Sequence, residues 1–151
     1  SSFLIASPGI VTEKTRNLVA TSLYLMTESV SPGADFMKIT HLQAASGKGA
    51  ELEQHEKMMK PVFEAATKMG SIASWTFGRH LYSYSPEVGN YYRIIGTNSL
   101  DDMLKADTSN YIELSFKKVY PTKDYAATMK AIRETMSIKS SELWVEVDAT
   151  K

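Results

Sequence analysis

The chain has 151 residues, of which 43% are hydrophobic and 23% charged, the size and composition of one globular domain. Its 17 basic and 17 acidic residues cancel, which argues against a nucleic-acid binder and against docking on an anionic membrane. No apolar run approaches the roughly 20 residues that span a bilayer. The absence of cysteine excludes disulfides, thiolate catalysis and cysteine-ligated metals.

The first 34 residues are the least regular part of the sequence, and we predict an N-terminal arm or an extra strand over 1–34. The segment opens with the apolar run SSFLIAS and continues with the turn signal Pro8-Gly9. Small residues surround signal-peptidase cut sites, so this start suits a protein exported to the periplasm or beyond after leader cleavage. A cysteine-free chain is compatible with the cytoplasm as well.

The pattern becomes regular at residue 35, and we predict a single domain over 35–151. Partial alternation of apolar and polar residues predicts a strand over 35–45. Apolar residues at spacings of three and four then predict an amphipathic helix over 50–70, which ends at Gly70.

The middle of the domain contains two predicted strands, 72–82 and 90–98, joined as a hairpin by a loop with proline and glycine. A short helix follows over 98–107, because Ser99 is a good N-cap and acidic residues occupy the first turn. The next segment, 110–120, fits a helix slightly better than a strand.

The chain ends with a predicted helix over 122–139 and a strand over 141–149 that alternates cleanly. The order from residue 35 is therefore βαββαβ with extra helix before the last α. This order predicts an α+β domain of the ferredoxin-like type, with a four-stranded antiparallel sheet covered by helices on one face.

Strand alternation divides the sheet residues between the two faces. The predicted helix side carries Trp75, Phe77, Leu81, Tyr92, Ile94, Gly96, Leu143, Val145 and Val147. The predicted open face carries Ser74, Thr76, Gly78, His80, Tyr91, Arg93, Ile95, Trp144, Glu146 and Asp148. His41 shares a face with Met37 and Ile39, and these two apolar neighbours favour the helix side. An open face this rich in aromatic and ionisable groups is typical of a pocket or a subunit interface.

Three stretches carry a resemblance to a known group: KPVFEAATKMGSIASW, YSPEVGNYYRI and IKSSELWVEVD. Together with the layout, they resemble the dimeric α+β barrel superfamily, which includes antibiotic-biosynthesis monooxygenase-like, EthD-like and NIPSNAP-like proteins, and within it uncharacterised exported bacterial members. The resemblance implies a homodimer whose sheets pack back to back. It implies cofactor-free oxygenase, haem-degrading or isomerase activity, or no known activity. Trp75 and His80 are five residues apart and fall on opposite strand faces, so the haem-degrading motif does not carry over.

The candidate catalytic residues lie on the predicted open face. His80 would act as a general base with Glu146 as its orienting carboxylate, and Arg93 would stabilise an anion. The competing interpretation is a charge-balanced network inside a dimer interface, since arginine stacks well on aromatic rings without catalysis. The predicted ligand-binding residues are Tyr91, Trp144, Thr76 and His41. If His41 and His80 both faced the cavity, they could bind a metal or relay a proton, but no ligand spacing supports a metal, so we predict neither a metal nor a cofactor.

Two functions remain open at this point. The first is binding of a small apolar or aromatic molecule in a sheet-lined cavity of a homodimer, with cofactor-free oxygenase or isomerase chemistry as one outcome. The second is a non-enzymatic assembly protein that uses its apolar N-terminal arm for contacts between subunits, in the manner of β-strand addition. The sequence specifies no substrate.

Overall fold

The computed structural model describes residues 24–31, 34–81 and 89–145. These residues form an α+β unit with one five-stranded antiparallel sheet and four helices. The strands are β1 (Tyr24–Val30), β2 (Phe36–Ala44), β3 (Ser74–His80), β4 (Tyr91–Thr97) and β5 (Met136–Val145). The helices are α1 (Gly49–Lys68), α2 (Leu100–Thr108), α3 (Tyr111–Val119) and α4 (Tyr125–Glu134).

The strands lie in the order β1-β3-β4-β2-β5, and every neighbouring pair is antiparallel. The prediction of four strands is therefore wrong by one, because β1 adds a fifth strand beside β3. The fifth strand comes from the segment 1–34, of which residues 1–23, 32 and 33 lie outside the described residues.

The predicted helices are confirmed except at the C-terminal end of the last one. Ser99 caps α2 by accepting a hydrogen bond from the backbone N–H of Asp102 at 3.1 Å. The segment 110–120, which fitted both a helix and a strand, contains α3. The predicted helix 122–139 is too long, because residues from Met136 onward pair with β2 as the start of β5. Pairing with a neighbouring strand outweighed local helical spacing there.

The main core lies between α1 and one face of the sheet, which we call the helix side. Phe63 of α1 stacks on Trp75 with ring centroids 4.6 Å apart, and Phe77 stacks on Tyr91 at 5.5 Å. Trp75 and Phe77 are fully buried, as predicted. Leu42 and Ile95 belong to the same cluster, which fixes the faces of β2 and β4 as well.

The face predictions for β2 and β4 are wrong. Tyr91, Arg93 and Ile95 lie on the helix side, since Tyr91 donates a hydrogen bond to Glu53 of α1 and Ile95 belongs to the main core. Tyr92, Ile94 and Gly96 lie on the opposite face, paired with His41, Ile39 and Met37 respectively. The prediction assumed that apolar residues face the helices, but Met37 and Ile39 are buried on the opposite face, which is apolar too. We call this opposite face, which carries His41, His80 and Tyr92, the histidine face.

Gly96 gives the histidine face its tightest backbone position, and it yields a stability prediction. A Cβ at Gly96 would overlap Ser74 Oγ and the Cβ of Ala34. We expect Gly96→Ala to lower the free energy of unfolding by about 1–3 kcal/mol because the strand would have to shift. Urea unfolding of the variant would measure this, and S74A/G96A should recover part of the loss. An unchanged midpoint for Gly96→Ala would contradict the packing.

Candidate functional site

Four polar side chains form a connected array on the histidine face. His41 Nδ1 lies 3.4 Å from His80 Nε2, and His41 Nε2 lies 3.5 Å from Glu142 Oε1. The indole N–H of Trp144 donates a hydrogen bond to Glu142 Oε2 at 2.9 Å. His41 on β2 therefore links the Glu142 carboxylate on the neighbouring β5 to His80 on β3, which is separated from β2 by β4.

His41 and His80 come together because Gly78 lies on the same face of β3 as His80 and has no side chain. Tyr92 of β4 pairs directly with His41 on one side and with Gly78 on the other. Since Gly78 has no side chain, the His80 ring can reach inward over its own strand. The His80 ring lies 5.5 Å from the His41 ring and 5.4 Å from the Tyr92 ring, measured between centroids.

Burial controls the ionisation of this array. Burial, and next the neighbouring His41, lower the pKa of His80 to about 4, so its imidazole is neutral at pH 7. Burial also raises the pKa of Tyr92 to about 12, so its hydroxyl stays protonated. A neutral imidazole beside a protonated phenol can accept a proton but holds no charge of its own.

The second set of polar groups lies on the helix side, around Arg93. Arg93 donates hydrogen bonds to the Glu56 carboxylate through Nε, at 3.3 Å, and through Nη2. Glu56 is only 1% exposed, so the ion pair forms in the core. Burial lowers the pKa of Arg93, but the Glu56 carboxylate outweighs that effect and leaves the pKa raised.

Two adjoining cavities open beside Arg93, and we call them together the groove. The apolar cavity, of about 210 Å³, lies between α1, α3, α4 and the start of β5. The polar cavity, of about 360 Å³, extends over β2 and β4 as far as α2. Both cavities are lined by Phe63, Arg93, Ile112 and Ile138.

The groove exists because the described helices leave the helix side of β5 uncovered. Helix α4 ends directly before β5 begins, yet Ile132 is the only buried residue of this helix. Ile138 and Leu143 of β5 point to the helix side and are 62% and 51% exposed. The sheet therefore contributes one wall of the groove, and α1 and α3 contribute the other.

The predicted site residues divide between these two places. His80, His41, Thr76 and Trp144 lie on the histidine face, where His41 was not expected. Tyr91 and Arg93 lie on the helix side. His80 and Arg93 therefore cannot act on the same molecule, because the sheet separates them. Glu146 lies outside the described residues.

Two carboxylates in these arrangements were not predicted. Glu56 is buried within the apolar stripe of α1, and its spacing of four from Leu52 and three from Met59 was the available signal. His55, which precedes Glu56 in the helix, is less buried. Glu142 shares a strand face with Trp144, so alternation alone could have placed it beside the histidine array.

No group of three or more potential metal ligands occurs among the described residues. None of the described helices has the length and hydropathy needed to cross a membrane. Compared with known proteins, the chain matches no protein-family model and no curated protein significantly. The geometry of the groove and of the histidine array must therefore carry the functional argument.

Proposed function

We propose that this protein binds a small molecule with an apolar body and an anionic end, and that the molecule lies in the groove. The observation that carries this proposal is the pair of adjoining cavities that meet at Arg93, one with a mostly apolar lining and one with a mixed lining of apolar, hydroxyl and charged side chains. Small-molecule sites are typically concave and mostly apolar, with a few polar groups that fix the orientation of the ligand.

The apolar cavity suits the body of such a ligand. Three methionines, Met59, Met129 and Met136, line it together with isoleucines and Phe63. Methionine side chains are flexible and polarisable, so they adapt to apolar molecules of different outline. This composition favours an aromatic ring or a short branched chain over a sugar or a nucleotide.

The anionic end of the proposed ligand is inferred from Arg133. Its exposed guanidinium lines the apolar cavity, and it makes no ion pair within the described part of the chain. The other charges in the groove are paired: Arg93 with Glu56, Lys38 with Asp107, and Glu113 with Lys117. A carboxylate or sulfonate beside Arg133 would be stabilised without breaking any of these pairs.

The polar cavity offers hydroxyl groups to the same ligand. Tyr111 and Tyr125 line it, and burial is the main cause that raises the pKa of both, to about 12 for Tyr111. Their hydroxyls therefore remain protonated at neutral pH and are available as donors. Thr40 and Ser141, which line the opposite wall, lie 3.3 Å apart between their hydroxyl oxygens.

Fluorescence titration with 1-anilinonaphthalene-8-sulfonate, an anionic aromatic probe, tests the proposal. We expect saturable one-to-one binding by the wild type. Ile138→Trp should fill the junction of the two cavities and weaken binding by about tenfold or more. Leu114→Trp is the matched control, because Leu114 is also an exposed apolar residue, at 51%, but lies outside the groove. Equal effects of the two substitutions would refute the site.

The anionic end has its own test. Arg133→Gln should weaken binding of the sulfonate probe by about two- to fivefold, because an exposed ion pair contributes little. It should leave binding of neutral N-phenyl-1-naphthylamine unchanged. Lys130→Gln, on the same helix but outside the groove, should affect neither probe. A loss of both probes in Arg133→Gln would show that the guanidinium only supports packing.

We further propose that β2 to β5 with α1 and α4 form the ferredoxin-like arrangement of the dimeric α+β barrel superfamily. The support is the order β5-β2-β4-β3, in which α1 connects β2 to β3 and α2 to α4 connect β4 to β5. For the assembly alternative, residues 1–23 of the predicted arm over 1–34 lie outside the described residues. Cofactor-free proton transfer at His80 would be a separate activity on the histidine face.

A further inference from the structure

We propose that β5 is a self-association edge, through which two copies of this chain pair antiparallel and continue one sheet across both. The pairing places Ile138 opposite Leu143 of the second copy, and Lys139 opposite Glu142 of the second copy. This inference concerns assembly and stands independently of the ligand proposed for the groove.

The first support is the exposure of β5. The strand is ten residues long and lies at the end of the described sheet order, beside β2 alone. Three of the eight exposed large hydrophobic residues in the described chain belong to it, namely Ile138, Leu143 and Val145. A strand at the edge of a sheet presents unpaired backbone N–H and C=O groups, and β5 has no proline and an apolar helix side, so it can pair with another strand.

The second support is a bulge that determines the register. His41 pairs with Ser140 and Leu42 pairs with Ile138, so Lys139 is an extra residue in β5. The bulge reverses the alternation along β5, because each strand residue otherwise points opposite to its neighbour. Ile138 and Leu143 are therefore on the same face although they are five positions apart in the sequence.

This reversal restricts how two copies can pair. In a symmetric antiparallel pair, opposed residues must share a face. With Ile138 opposite Leu143, Met136 is opposite Val145 on the helix side, and Ser137 is opposite Trp144 on the histidine face. At the bulge, Lys139 and Ser140 are both opposite Glu142, so Ser141 is opposite Ser141 of the second copy and opposed residues share a face throughout. A register displaced by one residue would place apolar helix-side residues of one copy opposite histidine-face residues of the other.

The third support is charge complementarity in the same register. Lys139 makes no ion pair within the described residues, and its amine would come opposite Glu142 of the second copy. The Glu142 side chain is 47% exposed, so its carboxylate can accept a further donor besides Trp144 and the neighbouring His41. Symmetry forms this ion pair twice. The pairing would also bring Leu143 of the second copy beside Ile138, at the open side of the groove.

Disulfide trapping tests the register sharply, because the chain contains no cysteine of its own. We would mix Ile138→Cys with a tagged Leu143→Cys protein under mild oxidation and separate the products on a non-reducing gel. The proposed register brings these positions within disulfide range. We expect the mixed disulfide from this pair, and no comparable product from either variant alone.

The controls distinguish this edge from other contacts. Leu104→Cys, an exposed apolar position on α2 at 56%, should not cross-link to Ile138→Cys. Light scattering should show a dimer for the wild type and for Leu104→Lys, and a monomer for Leu143→Lys. A dimer that persists in Leu143→Lys, a monomeric wild type at millimolar concentration, or equal cross-linking to Leu104→Cys would overturn the proposal. A negative probe titration would refute only the ligand in the groove.

Discussion

Replacing Glu56 by glutamine is expected to lower the free energy of unfolding by about 3 kcal/mol, near the cost of breaking other buried ion pairs. Glu56 is 1% exposed and accepts the Nε and Nη2 hydrogen bonds of Arg93. The variant would leave the guanidinium partly buried against a neutral amide. Equilibrium urea unfolding, followed by tryptophan fluorescence, would measure the loss.

Two further variants separate the charge from the packing. Glu51→Gln removes an exposed carboxylate on the same helix that pairs with Lys48, and it should cost less than about 1 kcal/mol. Replacing both partners, as E56L/R93M, should recover most of the loss, because well-packed apolar residues often substitute for a buried pair. A cost for Glu56→Gln as small as that for Glu51→Gln would contradict the burial of the pair.

The stability of the protein is expected to increase with pH between about 4 and 6.5, and His80 is the physical reason. Burial, then His41, lower its pKa from 6.5 to about 4 in the folded chain. In that window the unfolded chain binds the proton and the folded chain does not. Acid therefore favours unfolding. Above pH 6.5 His80 is neutral in both states and no longer lowers the free energy of unfolding.

The size of the effect follows from the same values. A fall in pKa from 6.5 to about 4 corresponds to a difference of at most about 3 kcal/mol in the free energy of unfolding between the two ends of the window. Urea unfolding at several pH values should show this slope in the wild type and a reduced slope in His80→Gln. His55→Gln, which removes a histidine on α1, should retain the contribution of His80. Parallel curves for wild type and His80→Gln would contradict it.

Much of the architecture was predictable because it depends on local signals. Spacings of three and four define α1, the hydroxyl of Ser99 starts α2, and alternation assigns Trp75 and Phe77 to the core. The start of β5 was not predictable in this way. Residues from Met136 onward have helical spacing, and only pairing with β2 makes them a strand.

The candidate site was less predictable, because both of its polar groups depend on partners distant in the sequence. Arg93 was placed on the open face as a charged residue, but Glu56 of α1 neutralises it inside the core. His41 was placed under the helices by its apolar neighbours, but that face of the sheet is buried as well. Hydropathy identifies the face of a strand that packs against the helices only when the opposite face of the sheet is exposed to solvent.

The sequence by itself determined the class of the fold, most helix and strand positions, and part of the set of polar side chains at the candidate sites, namely His41, His80 and Arg93. Local backbone preferences and side-chain periodicity carry that information, and both act over a few residues. The tertiary structure alone decided which faces β2 and β4 turn to the helices, and so separated His80 from Arg93. Strand register and ion pairs between distant elements fix that choice, and a one-residue difference in register reverses it.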